Sequence, residues 1–89
     1  MLDSKQRKRL KAEAHHLKPV IRIGQGGLSD GVVQETDRTL DHHPLIKVHI
    51  HNGDRAERAR LAQSLADAVA ADLVHSIGKV TILYREQSE

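Results

Sequence analysis

The sequence predicts an α/β fold, a two-layer sandwich in which helices pack on a mixed four-stranded sheet, with the chain order α-β-α-β-α-β-β. Three observations lead there. Apolar residues recur at helical spacing in three segments, short runs rich in β-branched residues alternate with them, and proline and glycine mark the joints. Strand–helix–strand units favour parallel pairing with right-handed crossovers, and a closing hairpin adds an antiparallel strand.

The first helix is expected from Ser4, a good N-cap, to about His16. Leu10, Ala14 and Leu17 form a narrow apolar stripe. At about 100° per residue, Lys5, Arg9 and His16 fall together on the opposite side, flanked by Lys8, Lys11 and His15, so the helix has a cationic face. Lys18-Pro19 ends it, because proline disfavours helix in the residue before it. Val20 to Ile23 reads as a strand, broken by Gly24-Gln25-Gly26-Gly27. Ser29 caps a second helix running to about His43, whose Val32, Val33, Thr36, Leu40 and His43 share one face; Pro44 stops it. Leu45 to His51 alternates, with Ile46, Val48 and Ile50 on the buried face and Lys47, His49 and His51 on the other. Asn52-Gly53 is turn chemistry, and Asp54 with Glu57 three residues on resembles a capping box opening a third helix. Leu61, Ala62, Leu65, Ala68 and Val69 line its buried side, the alanines implying close packing on the sheet. Leu73 to Ile77 and Val80 to Arg85 form a hairpin across a Gly78-Lys79 turn.

A chain of 89 residues reads as a single domain, residues 1–89, with a thin core. Tyr84 is the only aromatic residue, so the core is aliphatic and base stacking on aromatic rings is not available on any scale. With no cysteine, disulfides and thiolate metal sites are excluded. No apolar run reaches the length of a membrane span and the opening residues do not resemble a secretory signal, so cytoplasm is the expected location and no membrane partner is expected. Charge is unevenly spread: residues 1–28 hold seven Lys and Arg against two acids, residues 29–72 five against eight, and residues 73–89 balance. The basic end is the candidate anion-binding surface.

The glycine segment sits between a strand and a helix start, where flexible backbone and unpaired N–H groups suit a phosphate. The same spacing also suits a plain tight corner. It is neither a Walker A loop, since no Gly-Lys-Ser/Thr follows, nor a dinucleotide fingerprint, since Ser29 stands where the third glycine belongs. What favours a phosphate cradle is its setting: Lys18 and Arg22 flank it in the preceding strand region, and the cationic helix comes just before.

Four segments then resemble one family in the right order. Ala14-His15-His16-Leu17-Lys18-Pro19-Val20, Ile23-Gly24-Gln25-Gly26-Gly27-Leu28-Ser29, His43-Pro44-Leu45-Ile46-Lys47-Val48 and Ile77-Gly78-Lys79-Val80-Thr81-Ile82-Leu83-Tyr84-Arg85 are similar to the YhbY-like, or CRM, domain (chloroplast RNA splicing and ribosome maturation), over about residues 4–85. The resemblance implies a sandwich similar to the C-terminal domain of translation initiation factor 3. It also implies the role of the stand-alone bacterial members, which are associated with precursors of the large ribosomal subunit. The family's loop commonly carries a basic residue after the first glycine; Gln25 stands there in this chain.

The combined expectation is a non-catalytic RNA-binding protein, with ribosomal RNA as partner and ribosomal proteins as further candidates. Its expected RNA-binding residues are Lys5, Lys8, Arg9, Lys11, Lys18, Arg22, Gly24, Gln25, Gly26 and Gly27, with Lys79 and Arg85 as weaker candidates. Arg58 and Arg60 read as ordinary exposed cations. Of the seven histidines, only His49 and His51 share a strand face suited to chelation, and without cysteine or a carboxylate frame no metal or cofactor is expected. No nucleophile sits in a recognisable elbow or beside a paired base, so no enzyme is expected; Asp37 and Asp41, one helical turn apart, read as a solvated face. The alternative is an adaptor whose acidic second and third helices dock a basic ribosomal protein or assembly factor.

Overall fold

A computed structural model describes residues 2–51 and 53–87. The elements follow the expected order: α1 (Ser4–Ala14), β1 (Pro19–Ile23), α2 (Asp30–His42), β2 (Leu45–Ile50), α3 (Arg55–Ala68), β3 (Asp72–Ile77) and β4 (Val80–Tyr84). The sheet order is β1-β2-β4-β3, with β1 parallel to β2 and both β2 and β3 antiparallel to β4.

The local chemistry explains most boundaries. The cap of α1 is Asp3, one residue before the expected Ser4: its carboxylate accepts the Gln6 N–H at 2.7 Å, and the Gln6 side chain accepts the Asp3 N–H at 3.1 Å. This reciprocal pair satisfies two otherwise orphaned donors, which a serine cap with Arg7 three residues on would not. The helix stops at Ala14, short of His16, so Leu17 lies outside it and is exposed. Ser29 caps α2 through the Val32 N–H, and Asp54 caps α3 through the Glu57 N–H. Asn52 of the expected turn lies outside the described residues; Gly53 beside it has φ 81°, which suits glycine.

The sheet is packed on both faces. Ile21, Ile23, Ile46, Val48, Ile50 and Leu83 point to one side, where Leu40 of α2 and Ala62, Leu65 and Ala66 of α3 cover them. In α3 the buried alanines are Ala62, as expected, and Ala66, while the expected Ala68 is exposed. The apolar stripe is centred between Leu65 and Ala66, and Ala68 falls about 110° away from that centre. On the other side, Leu10 and Ala14 of α1 pack on Val74 and Ile82, with Leu45 and Tyr84 alongside. The two main layers are thus the sheet and α2/α3, with α1 lying across the second face.

Arg7 and Arg85 tie these layers down. A bulge between Leu73 and His75 leaves edge-strand carbonyls unpaired, and the Arg7 guanidinium donates to those of Leu73 and Val74. Arg85 donates to Asp37 Oδ1 at 2.6 Å, Asp41 Oδ1 at 2.8 Å and the carbonyls of Val69 and Asp37, joining the end of β4 to α2 and the end of α3. Its side chain is only 19% exposed.

Two stability predictions follow from these details. Ala70, just past α3, has φ 54°, a left-handed position where a Cβ costs roughly 1–2 kcal/mol. Against the greater freedom glycine has when unfolded, Ala70→Gly is expected to raise stability by about 0.5–1 kcal/mol, read from the urea midpoint. Arg85→Ala removes a charged donor from two carboxylates and two carbonyls and is expected to cost about 2 kcal/mol in the same measurement.

Candidate nucleic-acid interface

Parallel pairing sets where the glycine loop opens. Ile23 and Ile50 are in register, so β1 and β2 end together, and β4 begins there with Val80 opposite His49. The His51 N–H donates to the Ile23 carbonyl at 2.9 Å, and the Ile50 N–H to the Lys79 carbonyl at 2.7 Å. Gly24, His51 and the Lys79 turn therefore meet at one end of the sheet.

The loop is a closed turn: the Gly27 N–H donates to the Gly24 carbonyl at 3.0 Å, and Gly27 has φ 67°. Backbone geometry asks for glycine at Gly27. At Gly24 and Gly26 it does not, since φ is not left-handed and a Cβ there would meet nothing within 4 Å. Bare backbone at those two exposed positions is open to an incoming ligand. The helix start behind them is less inviting to an anion than its dipole suggests, because α2 begins with Asp30, whose carboxylate competes for the same field.

Cations gather on the α1 side of the sheet. Lys47 and His49 of β2 point there, opposite the buried Ile46, Val48 and Ile50, and Arg22 of β1 stands in register with His49. Burial, then the charges of His51, Arg22 and Lys79, holds the His49 imidazole below its ordinary pKa, and its Nδ1 is buried without a hydrogen-bond partner. His75, facing Lys11 and Arg7, is lowered in the same way, first by burial. Because α1 covers only part of this face, a depression of about 260 Å³ remains between Lys11 and His15 of α1, Lys47, and the aliphatic Ile77, Val80 and Ile82. Lys8 adds to the same flank of the helix, beside Lys11, His15 and His16.

The expected residues are thus sorted. Arg22 and Lys79 stand at the glycine end of the sheet, with Gln25 and Gly26 exposed in the loop beside them, and Lys11 faces the depression on the same face; Lys8 projects about 140° from the buried stripe of α1, on the helix's own outer flank. Lys5 and Arg9 are exposed on the outer side of α1, turned from the sheet. Lys18 does not flank the loop: it sits at the start of β1 with Leu17, Val20, His43, Leu45 and Ile46, a strand length away. Arg85 leaves the set, because its guanidinium is spent on Asp37 and Asp41 at the other end of β4. Those two acids remain solvent-exposed, as expected, but both are ion-paired with Arg85. Lys47, His49 and His51 join the surface. Their outward alternation was visible in the sequence, but which layer they would face was not. Arg58 is not an ordinary exposed cation either: it is half-buried, donates to the Gly53 carbonyl at 2.8 Å, and keeps its Nε shielded. The His49 and His51 rings lie 4.0 Å apart, and among the described residues no group of three or more His, Cys, Asp or Glu is placed to hold a metal ion. Among the same residues no helix is long and apolar enough to cross a membrane.

A three-helix, mixed-sheet α/β domain with a GxxG loop opening beside a basic sheet face defines the class. The profile of the CRS1 / YhbY (CRM) domain matches residues 2–85, and the chain belongs to that family of RNA-binding domains. It is 41% identical to "Probable RNA-binding protein PA4753" of Pseudomonas aeruginosa, over 96% of this chain and 82% of the relative. It is 39% identical to a Haemophilus influenzae protein named "RNA-binding protein", over 99% and 89%. The solution structure of SAV1595 from Staphylococcus aureus superposes with a TM-score of 0.89 at 36% identity, covering 100% of this chain and 93% of that one.

Because His49 and His75 have lowered pKa values in the folded chain, the unfolded chain takes up their protons first as pH falls below about 6.5. Stability is therefore expected to be full at pH 7.5 and to decline toward pH 5, with His49→Gln flattening the profile in urea titrations across that range.

Proposed function

We propose that this chain is a non-catalytic assembly factor that binds ribosomal RNA in precursors of the large ribosomal subunit, in the cytoplasm. The observation that carries the reading is the convergence of the glycine loop with Arg22, Lys79, Lys47 and Lys11 at one end and one face of the sheet. Unhindered backbone at Gly24 and Gly26 lets a phosphate approach, and the cations around it neutralise charge and position the RNA without reading its sequence. Gln25 offers hydrogen bonds where a basic residue would offer charge, so the flank of α1 and the Lys79 turn supply the charge. With one aromatic residue, selectivity comes from RNA shape and backbone geometry more than from stacked bases. The family and the relatives' names support RNA as the partner; the glycine loop and the ribosomal target rest on this geometry and on the family resemblance. The adaptor reading is weakened by the loss of Asp37 and Asp41 to Arg85 and by the Glu57–Arg60 pair at 3.5 Å.

Gly27→Asp tests the loop. Aspartate tolerates the left-handed backbone better than most residues and meets no obstacle there, so the protein is expected to fold while placing a negative charge in the cradle. Affinity for large-subunit ribosomal RNA fragments is expected to fall roughly fivefold or more, the effect of one like-charge contact worth about 1 kcal/mol at 4 Å in water. Gly27→Asn, equal in shape and strain but neutral, is expected to lose less. Equal affinities for all three proteins would remove the loop from the interface. A salt dependence that is flat, instead of falling by about 0.7–0.9 in log–log slope per neutralised phosphate, would favour the adaptor.

A further inference from the structure

We infer that the groove between the start of α3 and the β3–β4 hairpin is a second RNA-backbone site, taking a phosphate–ribose segment other than the one at the glycine loop. This rests on the RNA-binding reading above and extends it around the hairpin to the opposite face of the sheet. The groove has a volume of about 620 Å³ and is lined by Arg55, Arg58, Ala59, Ile50 and the hairpin residues Ser76 to Lys79 with Thr81. Three of those residues are cations and none is an acid. Among the described residues the ion pairs involve Arg60 and Arg85, while Arg55, Arg58 and Lys79 have no acidic partner. Of the acids nearest in the chain, Asp54 caps α3 through the Glu57 N–H and Glu57 is turned toward Arg60. The Ser76 and Thr81 hydroxyls, 3.0 Å apart, add polar groups. Three like charges around one concavity repel each other, and a polyanion relieves that repulsion where a neutral ligand cannot.

The hairpin joins this groove to the first surface. Ile77, 63% exposed, lines both the groove and the depression beside Lys11 and Lys47. Lys79 lines the groove and also acts on His49. An RNA that wraps the hairpin tip can therefore keep phosphates on both faces of the sheet while a ribose or base edge rests on the aliphatic Ile77. Two separated backbone contacts set by the thickness of the sheet select for a folded RNA over an extended strand, which a single loop cannot do.

Arg55→Glu is the test, because an acid at the first position of α3 complements the helix dipole and leaves the fold intact, as a thermal melt would verify. Arg60→Glu, on the same helix outside the groove, is the charge-matched control. The probes are a structured fragment of large-subunit ribosomal RNA and a single strand of about four nucleotides, the length a GxxG loop clamps. Binding is followed by amide-shift titration. Arg55→Glu is expected to weaken binding of the structured fragment and to lower its salt slope by about 1, with no effect on the short strand. Arg60→Glu is expected to change neither. If Arg55→Glu and Arg60→Glu behave alike on the structured fragment, or if Arg55→Glu weakens both RNAs equally, the second site is wrong and the loop reading stands. If the wild-type protein binds neither RNA, both readings fail.

Discussion

Strand β4 is the member on which the rest of the molecule depends. It lies between β2 and β3, and its successive side chains serve two cores: Leu83 goes to the α2/α3 layer and Ile82 to α1. With Tyr84 as the single aromatic ring, both cores rely on close aliphatic packing, and small residues such as Ala14 and Ala66 are wholly buried where helix and sheet meet. The consequence for function is geometric. Its short α1, with only Leu10 and Ala14 buried, covers one end of its face, and the uncovered end is where Lys47, His49 and Arg22 emerge.

The cations divide by what satisfies them. Arg7 answers the carbonyls of a bulged edge strand, and Arg85 answers two carboxylates and two carbonyls, so both are structural. Among the described residues those around the glycine end of the sheet have no carboxylate partner, and His49 is depressed first by its burial and then by the charges of His51, Arg22 and Lys79. A surface of this kind is costly to keep in an isolated protein and becomes favourable when a polyanion arrives. The same phosphate field would favour a protonated His49, so RNA binding and proton uptake oppose the tendency of the free protein to keep that ring neutral.

Much of this was legible along the chain. The order of elements, the caps at Ser29 and Asp54, the alternation of β2 and the glycine bend are local matters of period, capping and turn chemistry, and local rules describe them well. The cap falls at Asp3, one residue before Ser4, because it depends on whether Gln6 or Arg7 stands three positions on, a difference of a single side chain. Lys18 and Arg85 were misplaced for a deeper reason. For Lys18 nearness in sequence suggests nearness in space, yet five extended residues carry it to the far end of β1; Arg85 reads as a strand-end charge and meets Asp37 and Asp41 only when β4 lies beside α2.

What the sequence alone determined was therefore the set of parts and their chemistry: an aliphatic α/β domain with a bare glycine bend and an excess of cations at one end of the chain. Only the tertiary structure decided which cations share a surface with that bend, because this depends on which face α1 covers and on pairings between strands far apart in sequence. Periodicity fixes the side of an element on which a residue lies, and packing between elements fixes what that side confronts.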